Sequence, residues 1–170
     1  MEIMQKGHHY FSNGKTGGMF SGEIAEKAVK LVLPTIFAMF AAGTTKRQAM
    51  HIVVGLKDQP IFEYSIGDRE TWSRDYRDIA TGKFELGTGP YSRGSSAYVQ
   101  HMAPHLLNEG DTLYWGNAEI DGINVAISGD FSFYDEMWAT MIAAAVRALC
   151  KKKYEEIRAK GKDFLEAGDC

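Results

Sequence analysis

The stretch TLYWGNAEIDGINVAISGD, from Thr112 to Asp130, holds two short runs of β-forming residues around the pair Asp121-Gly122. Both central residues of a type I′ turn need positive φ, and aspartate followed by glycine suits that turn. The pattern predicts a hairpin, with one strand over Thr112–Trp115, extendable to Ile120, and the other over Ile123–Ser128. The second strand ends in Ser128-Gly129-Asp130, and the next residues turn helical. Ser132 is the expected N-cap, Asp135 follows three residues later, and lysines gather toward the far end. Along this helix Tyr134, Trp138, Met141, Ala145, Ala148 and Leu149 are expected to form one stripe.

Upstream lies a second strand pair. Met50–Gly55 and Ile61–Ile66 are short β-rich runs separated by a connector of hairpin length, LKDQP. A helix precedes it, with Ser21 as cap, Glu23 and Glu26 in the first turn, and an end at Gly43. Another helix follows, capped by Asp68, with Trp72, Tyr76, Ile79 and Phe84 on its buried face. A short helix over Ser96–Leu107, with Pro104 inside it, completes the set. The order is helix, hairpin, helix, helix, hairpin, helix. A lone hairpin cannot bury a face, so the two share one antiparallel sheet with helices packed against it. That is an α+β layered domain over residues 22–160, with a flexible glycine-rich arm over 1–21 and a tail over 161–170.

Composition narrows the function. A net charge of −3 gives no general attraction to nucleic acid, and no basic stripe with interleaved aromatics is present. The cationic run Lys151–Lys153 is answered at once by Glu155 and Glu156, as on a solvated helix end. The longest apolar run, LVLPTIFAMFAA, has about 12 residues against the ~20 of a membrane span, and Pro34 interrupts it. No signal peptide is visible, and two cysteines, Cys150 and Cys170, build no disulfide framework. A cytoplasmic protein is the expectation.

Several segments have the residue types of a site. GTGPYSRGSSAYVQH, Gly87–His101, combines glycines with Arg93 and the pair Ser95-Ser96. A helix starting at those serines would aim free N–H groups into the loop, and with Arg93 would suit a carboxylate or phosphate. The Walker pattern is absent. The junction Ile127-Ser128-Gly129-Asp130 joins a strand to a helix, a place that commonly lines a pocket, without the GxSxG of a nucleophile elbow. His101 and His105, four apart, would share a helix face and could reach one metal or a haem iron. Arg74 and Arg77 could meet an acidic ligand or pair with Asp75 and Asp78. His51 is expected to be structural.

The segments DRETWSRDYRDIATGKF, GTGPYSRGSSAY and YWGNAEIDGINVAISGDFSFYDEMWATMIAAAVRAL together resemble the haem-degrading domain family, also called GlcG/HbpS-like. Gly116, Ile120, Gly122, Val125, Ser128, Gly129 and Asp135 occupy places of its glycine-rich strand pair and final helix, and Ser95 and Ser96 match its serine pair. Where the family has Gly-Gly-x-Pro-Ile this chain reads GNAEI, and its Val-Ser-Gly is Ile-Ser-Gly. The resemblance implies a profilin-like α-β-α sandwich, a homo-oligomer and a small-molecule pocket; some members bind haem. The expected pocket draws on Tyr91, Arg93, Ser95, Ser96, Tyr98, Trp115, Ser128 and Gly129, with haem or another anionic cofactor as ligand and His101 or His105 as iron ligand. Two alternatives stand beside it. One is an enzyme acting on a small carboxylate-bearing metabolite without haem, with Asp130 or Asp135 as general base. The other is an oligomeric assembly protein in which the first helix forms an interface.

Overall fold

In the computed structural model, which describes residues 8–11 and 18–169, the two hairpins lie side by side in one antiparallel sheet. β2 (Met50–Leu56) and β3 (Gln59–Ile66) form the first, β4 (Asn117–Ile120) and β5 (Ile123–Ser128) the second. β2 pairs with β5 from His51↔Ser128 to Leu56↔Ile123, which joins them. A further strand, β1 (His8–Phe11), pairs with β3 and gives the order β1-β3-β2-β5-β4. The sequence reading has no strand there, because four residues without alternation give no signal. The rest of the expected arm, residues 1–7 and 12–17, and Cys170 lie outside the described residues.

The helices form a layer on each face. α1 (Gly22–Ala41) and α4 (Ser132–Arg158) pack together on one side; α2 (Tyr76–Thr88), followed by α3 (Ser96–Met102), covers the other. This is the α+β layered domain expected from the element order, and it is consistent with the profilin-like α-β-α sandwich that the resemblance implies. Successive strand residues point to opposite faces. Met50, Ile52 and Val54 of β2, with Val125 and Ile127 of β5, therefore meet Ile36, Trp138 and Ile142 of the α1/α4 layer. Val53 and Ala126 face the other way, onto Ala80 and Phe84 of α2. With both faces covered, every residue of β5 is buried.

The Asp121-Gly122 turn is as expected, with φ of 51° and 86°. Four element boundaries differ from the sequence reading. The strand expected over Thr112–Trp115 starts only at Asn117. The carbonyls of Thr112 and Tyr114 instead accept from the Gln100 side-chain amide at 2.9 and 3.0 Å, which ties this segment to α3. Asp68 caps only the 3₁₀ turn Arg69–Thr71. Trp72 is extended there, and Asp75 caps α2 by accepting from the N–H groups of Arg77 and Asp78. The expected Ser96–Leu107 helix stops at Met102, because a residue before proline is disfavoured in the α region; Pro104 opens a separate 3₁₀ turn. In α4 the cap position is Phe131, with no side-chain cap bond, and Ser132 is the first helical residue. The buried stripe of α4 runs through Trp138, Ala139, Ile142, Ala143 and Val146, so Met141 of the expected stripe is 36% exposed. That rotation follows from α4 packing on α1, β4 and β5 at once, with Asp135 turned inward.

Among the described residues, no helix is long and apolar enough to cross a membrane.

Candidate functional site

The end of β5 sets the site. Gly129 has φ of +156°, and a side chain there would collide with the backbone oxygen of Ala49 and with Met50. Glycine therefore lets the strand end pass close against the start of β2. Asp130 then fixes the connector between α1 and β2. Its carboxylate accepts from the N–H of Lys46 at 3.0 Å and of Phe131 at 2.7 Å. These bonds hold Lys46 and Arg47 at the rim of a cleft of about 340 Å³. That volume lies within the roughly 300–1,000 Å³ usual for small-molecule sites.

Aromatic rings wall the cleft and cations lie over them. Lys46 Nζ is 4.1 Å from the Phe131 ring centre, and the Arg47 guanidinium is 5.8 Å from that of Tyr76. Arg74 lies 5.2 Å from the Tyr114 ring centre and also donates to the Tyr114 hydroxyl. Stacking of this kind holds long cationic side chains in place while leaving their charge available.

The innermost residues of the cleft are Lys83 and Asp135, each 1% exposed. Lys83 Nζ donates to Asp135 Oδ2 at 2.9 Å and to the Ile127 carbonyl at 2.7 Å. Asp135 Oδ1 accepts from the N–H of Asp130 at 3.2 Å. Gly116, at φ of +138°, makes room for the pair: a Cβ there would lie 2.7 Å from Asp135 Cβ and 3.1 Å from Lys83 Nζ. Burial pushes the Lys83 ammonium below its usual range, against the pull of Asp135. Burial also raises the Asp135 carboxyl to about 6, although Lys83 opposes the rise. Both shifts disfavour charge, so the neutral amine and neutral acid lie closer in energy to the ion pair than they would in water. Four cationic and two acidic side chains line the cleft, and the Asp130 carboxylate is already engaged by backbone N–H groups. The cleft can thus hold a small anion with a flat apolar body beside a proton-transferring pair.

The sequence-predicted residues divide. Ser128, Gly129, Asp130 and Asp135 converge on this cleft. The Gly87–His101 loop does not reach it. Tyr91 and His105 border a second depression of about 490 Å³, whose charged lining among the described residues is Glu85 and Asp111, with no lysine or arginine. Arg93 stacks on Tyr98, 4.8 Å from the ring centre, and lines neither cavity. The N–H groups expected to await an anion have partners: that of Ser96 donates to Asn117 Oδ1 at 2.6 Å, and that of Tyr98 to Ser95 Oγ at 3.2 Å. Ser96 Oγ accepts from the Gly116 N–H at 3.3 Å, so the serine pair caps α3 and ties it to the strand before the turn. His101 packs edge-on against Trp115, with ring centres 5.5 Å apart. The end of α3 at Ala103 puts His101 and His105 on different elements. Among the described residues no group of three metal-ligating side chains comes together.

Haem fails to fit the expected residues for the same reason. Arg93 and the two histidines share no cavity, and among the described residues no histidine lines the cleft with cations. Arg77 pairs with Glu63 at 2.9 Å rather than with Asp75 or Asp78. His51 is buried and structural in its bonding, with Nδ1 2.8 Å from Ser65 Oγ and Nε2 3.2 Å from Glu63.

Sequence reasoning missed Lys83, Lys46, Arg47 and Tyr114. Lys83 carried a signal: it falls on the stripe Tyr76, Ala80, Lys83, Phe84, Gly87, a lysine where the 3.6-residue period calls for an apolar residue. No family model, curated protein or solved structure matches the chain, so the site is read from its own geometry.

Proposed function

We propose that this chain is a small-molecule-binding protein, in keeping with its GlcG/HbpS-like resemblance, and that it takes a small carboxylate-bearing metabolite in the cleft between the Asp130 junction and α2. The observation that carries this reading is the excess of cations, each stacked on an aromatic wall, over a buried Lys83–Asp135 pair. Arg47 and Arg74 meet the carboxylate, and Tyr76, Phe131 and Tyr114 flank the body of the ligand.

The test is calorimetric titration of the full chain with a panel of small carboxylates, repeated in Arg47→Ala and Arg74→Ala. Binding should weaken by about tenfold or more in each variant, as loss of a charge-assisted contact implies. Saturable binding that neither variant changes would overturn this location.

A second reading, turnover of the bound ligand, is favoured by Asp135. Its carboxyl, raised to about 6 and lining the cleft, suits proton transfer near neutral pH. Asp135→Asn should abolish turnover while the binding titration persists; unaffected turnover would remove this reading.

A further inference from the structure

We propose that Lys83 forms a Schiff base with a small 2-oxo carboxylate, so that the cleft binds its ligand covalently and reversibly through the carbonyl carbon. The inference rests on the reading of the cleft as a carboxylate site and names the substrate class.

Geometry carries it. Lys83 is an amine set deep in a helix face that is otherwise apolar, yet it borders a cleft rather than the middle of the core. A purely structural role does not explain it, because buried ion pairs are commonly replaceable by apolar residues without loss of stability. Asp135 Oδ2, at 2.9 Å, is placed to take a proton from Nζ and return it. Arg47 and Arg74 line the same cleft, where a carboxylate beside the carbonyl can be held. Burial, which lowers the affinity of Nζ for its proton, adds to the case.

The step balances without an added reagent. The ammonium of Lys83 gives one proton to the Asp135 carboxylate. The neutral amine attacks the carbonyl carbon, the C–N bond forms, the C=O π bond opens, and one proton passes from the nitrogen to the oxygen to give a carbinolamine. Its hydroxyl leaves as water, taking the proton held by Asp135. The products are an iminium on Nζ, one water and the Asp135 carboxylate. No oxidant or reductant is consumed, and hydrolysis reverses the sequence.

The test uses the full chain with pyruvate or glyoxylate and sodium borohydride, which fixes an iminium as a stable secondary amine. Intact mass and peptide mapping read the product. One reduced adduct, on Lys83, is expected. Lys83→Arg retains the charge and cannot form the imine, and should lose the trap. Arg47→Ala should slow trapping by about tenfold, matching its effect on binding. Because the map is made on the unmodified sequence, the result does not depend on a variant folding. Saturable binding with no adduct would overturn the role of Lys83 and leave the binding site intact. Adducts scattered over surface lysines would also overturn it. Neither binding nor adduct with both acids would overturn this inference together with the function it rests on.

Discussion

The two faces of the sheet are built from alternate residues of the same strands, yet they are held by different forces. Toward α1 and α4, β2 and β5 present Met50, Ile52, Val54, Val125 and Ile127. Toward α2 and α3, the same strands and their neighbours present His51, Ser65, Asn117 and Asn124, all buried. Each of these four polar side chains has a partner. Asn117 Nδ2 donates to Asn124 Oδ1 at 3.0 Å, and Asn124 Nδ2 donates to the Phe84 carbonyl at 2.9 Å. Apolar burial is non-directional and scales with area, so the first face supplies stability without fixing positions finely. Buried hydrogen bonds add little net energy but penalise every wrong arrangement, so the second face fixes where α2 and α3 sit. The cleft opens where the two layers meet at the end of the sheet, with Lys83 from one and Asp135 from the other.

The largest test sets one residue from each layer side by side. Trp138→Ala should cost about 3–5 kcal/mol by urea unfolding, equally at about pH 5 and about pH 7.5. Lys83→Met should cost about 3–5 kcal/mol near neutral pH, because it leaves Asp135 buried and unpaired, and this loss should shrink toward about pH 5 as the acid takes a proton. The Lys83→Met/Asp135→Leu double variant, which makes the contact apolar, should recover most of that loss. Failure to recover would mean that the pair is worth more than its geometry implies.

Glu63 and Asp135 should also oppose each other in pH dependence. The Glu63 carboxyl, bonded to His51 and Arg77, is lowered from 4.5 to about 2. Its contribution is fully present above 4.5 and is lost as pH falls through about 2. Glu63→Gln should therefore cost about 2–3 kcal/mol near neutral pH, and less as the solution becomes acid. Asp135 has the reverse sign: its penalty is fully present above about 6 and is relieved as pH falls toward 3.8. Unfolding measured across this range in the wild type and in each single variant checks both. Asn124→Ala, which leaves Asn117 Nδ2 with only the Gly94 carbonyl and takes one donor from the Phe84 carbonyl, should cost on the order of 1 kcal/mol, with the loss independent of pH. Smallest of all, Arg93→Ala should change stability by less than about 0.5 kcal/mol and leave carboxylate titration unchanged, since it lines neither cavity.

What the sequence made legible follows from how local each signal is. Asp121-Gly122 announces its turn within two residues, and the alternation around it announces strands, so the order of elements and the layered fold could be read. Boundaries failed where two residues offered the same service: Asp68 and Asp75 can both cap, and only tertiary packing selects Asp75 for α2. In the site, Ser128, Gly129, Asp130 and Asp135 were legible because a strand-to-helix junction is a contiguous motif. Lys46 and Arg47 were not, because what brings them there is the Asp130 carboxylate, 84 and 83 residues away in the chain. The loop with Arg93 and the serine pair misled because its composition matches both an anion site and a helix cap. The hydrogen bonds of Ser95 and Ser96 select the cap.

The outermost strand beside β5 has only four residues, and one of them, Glu119, is an exposed charged residue whose carboxylate accepts from the Gly122 N–H. A sheet edge this short and charged is a poor template for a strand from another molecule. The aggregation-prone sequences of β2 and β5, Met50–Leu56 and Ile123–Ser128, are kept to the interior of the strand order. One end of the sheet is thus guarded against pairing between molecules by four residues, and lengthening that strand with apolar residues would invite such pairing.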